Sequence, residues 1–196
     1  ASSRLVVTRG VYDAFIDKLK ARLETQVVGD AMDPKTTIGP VVTEDQLNQN
    51  LDYVRVGQEE GARLVCGGER LDHPKRGYYM RPALFADVRN DMRIAREEIF
   101  GPVAAVIPAT DADEALQIAN DTEYGLSAGV YTTSLKHAER FKRELAAGLV
   151  MVNLPTAGVD PHVPFGGRKA SSYGPREQGR YPVEFYTTVK PAYTAA

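Results

Sequence analysis

The chain has one cysteine, no tryptophan, three histidines and no long apolar run. Each shortage removes a class of function. A single cysteine excludes an intrachain disulfide and fits a reducing compartment. Cys66 sits in Arg63-Leu64-Val65-Cys66-Gly67-Gly68, and apolar neighbours raise a thiol pKa, whereas a nucleophilic thiolate needs a helix N-terminus or a cation to lower it. It is read as a structural residue. His73, His137 and His162 have no metal-ligand spacing, and each reads as a polar surface or loop residue. No stretch approaches a membrane span, and Leu5-Val6-Val7 is too short for the apolar core of a signal peptide. No membrane partner is expected, and the cytoplasm is the expected location. The net charge of −2, with both signs interspersed, leaves no basic stripe, so nucleic acid is not an expected partner.

What remains is the composition of a soluble globular protein long enough for a real core. Helical and strand patterns alternate, the rhythm of an α/β fold with a largely parallel sheet. Val11, Phe15, Ile16, Leu19 and Leu23 predict a helix from about Arg9 to Thr25. Residues 29–40 are rich in turn formers. Thr43-Glu44-Asp45-Gln46 reads as a capping box opening a helix that buries Leu47, Leu51 and Val54 and stops near Gly61. Strands are expected over Ala62–Cys66, Tyr79–Val88, Val103–Pro108, Leu126–Thr132 and Leu149–Val152. Helices begin after Asp111, with Ala115, Leu116 and Ala119 inward, and after Ser134, with Leu135, Ala138, Phe141 and Leu145 inward. The tail Val183–Lys190 alternates and is rich in β-branched and aromatic residues, which predicts a strand without a nearby partner.

Two irregular segments stand out. In Glu97-Glu98-Ile99-Phe100-Gly101-Pro102, an extended chain puts residues i and i+2 on one side. Glu98 and Phe100 then address one ligand, the carboxylate accepting from ribose hydroxyls and the ring offering an apolar edge to a nicotinamide. By its residues alone, the hexapeptide reads more readily as an ordinary helix end followed by a turn. In Val163–Gly179, four glycines and two prolines in seventeen residues exclude a regular helix or interior strand. The segment is read as an ordered loop, anchored by Phe165 and Tyr173 and tied by Arg176-Glu177.

Together these runs resemble the EEIFGP and PFGG-K-S-G-RE-G runs of the aldehyde dehydrogenase superfamily. Between them, Asn120–Val130 is similar to its N-x-x-x-YGL segment and Gly148–Asn153 to its AG-x-x-x-(I/V)N segment. Asn153–Val159 and Ser171–Tyr181 look most like the α-ketoglutarate semialdehyde (2,5-dioxovalerate) dehydrogenase group. The resemblance implies a three-layer αβα catalytic-domain portion with a C-terminal oligomerisation strand, divided as 1–180 and 181–196. It implies oxidation of a small aldehyde with NAD or NADP, with Glu98 and Phe100 as cofactor-binding residues and Phe165 lining the aldehyde path.

Ala1–Val7 resembles the segment just after the family's nucleophilic cysteine in its C-T-A-S-S-R pattern. The nucleophile, the general base and the nucleotide domain would therefore belong to a missing N-terminal half, leaving no catalytic residue here and a fragment inactive alone. Asn153 is expected to tie loop backbone through its amide, Arg176 to be structural, and Arg168 to be the freer candidate for an acidic aldehyde. Where the family shows glycine, this chain has Ser172, and Pro175 precedes the arginine. A homo-oligomer is expected. The alternative is a non-catalytic stand-alone binding or oligomerisation module.

Overall fold

The computed structural model describes residues 2–158 and 160–195, so Ala1, Val159 and Ala196, with their share of the motifs above, lie outside the described residues. The elements in chain order are β1 (Arg4–Thr8), α1 (Tyr12–Glu24), α2 (Glu44–Glu59), β2 (Arg63–Cys66), β3 (Ala83–Ala86), α3 (Arg93–Arg96), β4 (Val103–Ala109), α4 (Ala112–Asn120), β5 (Ser127–Val130), α5 (Leu135–Glu144), β6 (Leu149–Val152) and α6 (Pro182–Tyr186). They fall into two compact units, Ser2–Ile118 and the residues from Ala119 onward.

In the first unit, a four-stranded sheet has the order β1-β4-β3-β2. β1 and β3 run parallel to β4, and β2 is antiparallel to β3. Alternation along β3 explains the layers: Ala83 and Phe85 enter one core with Leu47 and Val54 of α2 and Ile94 of α3. Leu84 and Ala86 enter the other with Tyr12 and Ile16 of α1. All four β3 side chains are buried, as a strand covered by helices on both faces requires. This is the α/β, three-layer αβα arrangement. Fully burying a side chain such as Phe85 contributes about 1.5–3 kcal/mol.

The second unit pairs β5 with β6 in parallel, a separate two-stranded sheet. Ser134 caps α5 by accepting from the His137 N–H, and Ala138, Phe141 and Leu145 are buried.

Several expectations are corrected. β1, unforeseen in the sequence, pairs with β4 about a hundred residues away. The first helix starts at Tyr12 after a 3-10 turn over Arg9–Val11, so Val11 is exposed and Tyr12 takes the core place. Leu135 occupies the first turn of α5, beyond the reach of the core, and is exposed. The expected strand at Tyr79–Val88 is confined to Ala83–Ala86. The tail strand Val183–Lys190 is absent: Pro182–Tyr186 forms α6, and 187–195 belongs to no strand. Pro182 supplies a helix-ready φ at the first turn, and a lone strand leaves its N–H and C=O groups unpaired. Among the described residues no helix is long and apolar enough to cross a membrane.

Candidate functional site

The segment joining α3 to β4 gives its two glutamates opposite fates. Glu97 accepts from the Tyr53 hydroxyl at 2.7 Å and from the Arg93 guanidinium at 2.9 and 3.0 Å. Arg93, and after it Tyr53, holds the Glu97 carboxyl below its ordinary pKa. Glu98 is exposed, and its carboxylate accepts from no side chain or backbone group among the described residues. Ile99 returns to the core at 2% exposure, and its carbonyl accepts from the Gln46 amide at 3.0 Å.

Phe100 then turns out, 75% exposed, with φ +56°. The backbone is extended at Glu97 (φ −100°, ψ 151°), but Phe100 leaves the extended geometry that the i, i+2 argument assumed. The reason is immediate: Gly101-Pro102 must feed β4, where Val103 N–H reaches the Gly101 carbonyl and Ala83 N–H the Pro102 carbonyl, both at 2.8 Å. A bulky residue held in the left-handed region costs on the order of 1–3 kcal/mol, and such strain concentrates at functional sites. Glu98 and Phe100 thus flank a buried Ile99 and both face away from the core.

The breaker-rich loop of the second unit is ordered by a different set of ties than its large side chains. Phe165 and Glu177 exchange backbone hydrogen bonds at 2.7 and 2.8 Å, leaving the Phe165 side chain half-buried. Arg176 donates to the Gly167 carbonyl at 2.5 Å, the backbone tie expected of it. Ser172, the departure from the family glycine, accepts from the Gly167 N–H at 2.6 Å. Lys169 donates to the Asn120 and Thr122 carbonyls at 2.7 and 2.9 Å. Tyr173, expected as an anchor, is fully exposed, because these polar ties already hold the turn it sits on.

Gly148 lets the loop come close, since a Cβ there would fall 1.9 Å from the Gly166 carbonyl oxygen. Asn153 behaves as expected: its Oδ1 accepts from the Thr132 N–H at 2.8 Å and its Nδ2 donates to the Thr132 carbonyl at 2.9 Å. Arg168 is exposed, with no side-chain partner among the described residues. Cys66 lies half-buried in β2, and burial pushes its thiol pKa up, the reverse of what a nucleophile needs. Among the described residues no group of three or more His, Cys, Asp or Glu is placed to hold a metal ion.

The model of the aldehyde dehydrogenase family matches residues 1–192. This chain belongs to the aldehyde dehydrogenase family. Among its aldehyde dehydrogenase relatives, the α-ketoglutaric semialdehyde dehydrogenase of Bacillus subtilis is 43% identical, the match covering 98% of this chain and 40% of the relative. The α-ketoglutarate semialdehyde dehydrogenase of Haloferax volcanii is 45% identical with the same coverage. Of solved structures, HpcC from Thermus thermophilus superposes with a TM-score of 0.91 at 41% identity, over 100% of this chain and 40% of that one. A Mycobacterium tuberculosis aldehyde dehydrogenase complexed with NAD+ gives 0.89 at 38% identity, over 98% and 40%. The chain thus spans about 40% of the length of these relatives.

The sequence points to Glu98, Phe100 and Phe165 but not to the site role of Tyr53 and Arg93, which hold Glu97, or of Gln46, which holds Ile99. The signal for Gln46 and Tyr53 was their helical spacing, seven residues apart on α2.

Proposed function

We propose that this chain is the part of an NAD-dependent aldehyde dehydrogenase that orients cofactor and aldehyde, and that acidic semialdehydes of the α-ketoglutarate type are its substrate class. One observation carries the reading: of two adjacent glutamates, Glu97 is consumed by Arg93 and Tyr53, while Glu98 stays uncommitted beside an outward-held Phe100. A free carboxylate and a free aromatic face suit the hydroxyls of a ribose and the flat ring of a nicotinamide. Bound NAD or NADP would supply the hydride acceptor; the relatives solved with NAD+ favour NAD.

Glu98 accepts hydrogen bonds from the ribose, and Phe100 packs against the ring so that one face is presented for reaction. This is orientation, and misplacement by about 1 Å costs on the order of a hundredfold in rate. Phe165 lines the path of the aldehyde. Arg168, its guanidinium without a partner among the described residues, meets the carboxylate of a semialdehyde through paired guanidinium hydrogen bonds. The nucleophile belongs to the remainder of the same enzyme, because the only thiol here is the raised-pKa Cys66. The 196 residues alone therefore oxidise no aldehyde. The exposed tail residues Val183, Tyr186 and Val189 suit burial against a second copy, in a homo-oligomer of the complete enzyme.

The test is a spectrophotometric assay of the full-length protein with NAD and NADP, against α-ketoglutarate semialdehyde and propionaldehyde. NAD reduction that falls on the order of tenfold or more in Glu98→Gln, and a KM rise confined to the semialdehyde in Arg168→Gln, are the expected results. Unchanged kinetics in Glu98→Gln overturn the clamp, and equal effects of Arg168→Gln on both aldehydes overturn the carboxylate contact.

A further inference from the structure

Gln46, Asn50 and Tyr53 recur at i, i+4 and i+7 on α2 and form one stripe of that helix. Each meets the turn between α3 and β4. Tyr53 holds Glu97 at 2.7 Å, and Gln46 Nε2 holds the Ile99 carbonyl at 3.0 Å. Asn50 lies between them, with no exposure at all, and is the one buried polar side chain among the described residues. Its Oδ1 accepts from the same Gln46 Nε2 at 3.0 Å, while its Nδ2 finds no partner. A Cβ on Gly101 would fall 2.3 Å from Asn50 Nδ2 and 2.4 Å from Oδ1, so the amide lies directly against the Gly101 backbone.

Burying an amide with an unused donor is unfavourable, and a leucine, with the same number of side-chain heavy atoms, would avoid that cost. Apolar burial alone does not call for asparagine at this position. What the amide supplies is direction: by accepting from Gln46 it orients the donor that grips Ile99, and by its flatness it admits the Gly101 backbone at a distance that only glycine allows. The residues on either side of Ile99 are Glu98 and Phe100.

We propose that Asn50 is a positioning residue of this dehydrogenase, setting through Gln46 and Gly101 the orientation in which Glu98 and Phe100 are presented. The proposal rests on the reading of those two residues as the ribose and nicotinamide clamp.

The experiment is a double-mutant cycle in the full-length enzyme, with NAD and α-ketoglutarate semialdehyde, using Asn50→Leu, Glu98→Ala and the pair. Asn50→Leu is expected to lower kcat about tenfold, the scale of a small misorientation, and the pair to be no slower than Glu98→Ala alone. Wild-type kcat in Asn50→Leu, or losses that multiply in the pair, overturn the positioning role while leaving the clamp standing. Wild-type kinetics in Glu98→Ala remove the clamp, and the positioning role with it. If Asn50→Leu does not fold, Gly101→Ala probes the same contact from its other side: non-multiplying losses with Glu98→Ala support the role, and multiplying losses overturn it.

Discussion

Tyr53 donates its hydroxyl to Glu97 at 2.7 Å, a bond from the last turns of α2 to a residue 44 positions later in the chain. That bond separates the duties of a glutamate pair that sequence alone leaves equivalent. Glu97 is tied into the fold, and Glu98 is left exposed.

The first prediction concerns acid. The folded pKa of Glu97 is lowered, chiefly by Arg93, so its contribution is present above the unfolded glutamate pKa of about 4.3 and is lost as pH falls through the folded value. With 41% of the side chain exposed, the contribution is screened to under about 1 kcal/mol. Glu97→Gln is expected to lower the thermal midpoint near neutrality and to match the unsubstituted protein below the folded pKa. A deficit that persists unchanged into acid would assign the loss to packing instead.

The second concerns strain. Phe100 holds φ +56°, a conformation glycine adopts freely. Phe100→Gly is expected to leave the unfolding free energy unchanged or raise it by up to about 1 kcal/mol, while the full-length enzyme loses turnover with NAD. Loss of stability together with full activity would show that the ring serves the fold.

How far these features are legible in the sequence depends on their range. Helix caps at Thr43 and Ser134 and the core faces of α2 and α5 are local, and the pattern reveals them. The Thr43 box is half of the predicted form: Thr43 accepts from Gln46 N–H, but the Gln46 side chain reaches Asn50 and Ile99 instead of returning to the cap, because a buried carbonyl needs a donor more than an exposed N–H does. β1 was invisible because three apolar residues acquire strand character only beside β4. The tail went the other way, for alternation in Val183–Lys190 promises a strand that no neighbour here completes. Strand pairing is a non-local property, and a single sequence carries only one side of it.

A third prediction tests the Asn153 tie. Its amide accepts from the N–H of Thr132 and donates to the C=O of the same residue, with Asn153 itself at φ +56°. Asn153→Ala removes both bonds and is expected to cost about 1–2 kcal/mol, read as a lower urea midpoint. Asn153→Asp keeps the acceptor alone and should fall between. Equal midpoints for all three proteins would remove the tie from the account.

The fourth concerns the lone thiol. Because burial raises the Cys66 pKa, its alkylation by iodoacetamide is expected to be slow at neutral pH and to accelerate only above the ordinary thiol range near 8.5. Cys66→Ala should leave aldehyde oxidation by the full-length enzyme intact. Rapid labelling at neutrality, or loss of turnover in Cys66→Ala on a folded protein, would return this residue to the chemistry.

The stripe on α2 also has a dynamic consequence. A loop tethered to one helix at Gln46, Asn50 and Tyr53 cannot breathe alone, so its amide protons should exchange with solvent only when the helix itself opens. The surface that carries Glu98 and Phe100 and the scaffold beneath it then form one cooperative unit.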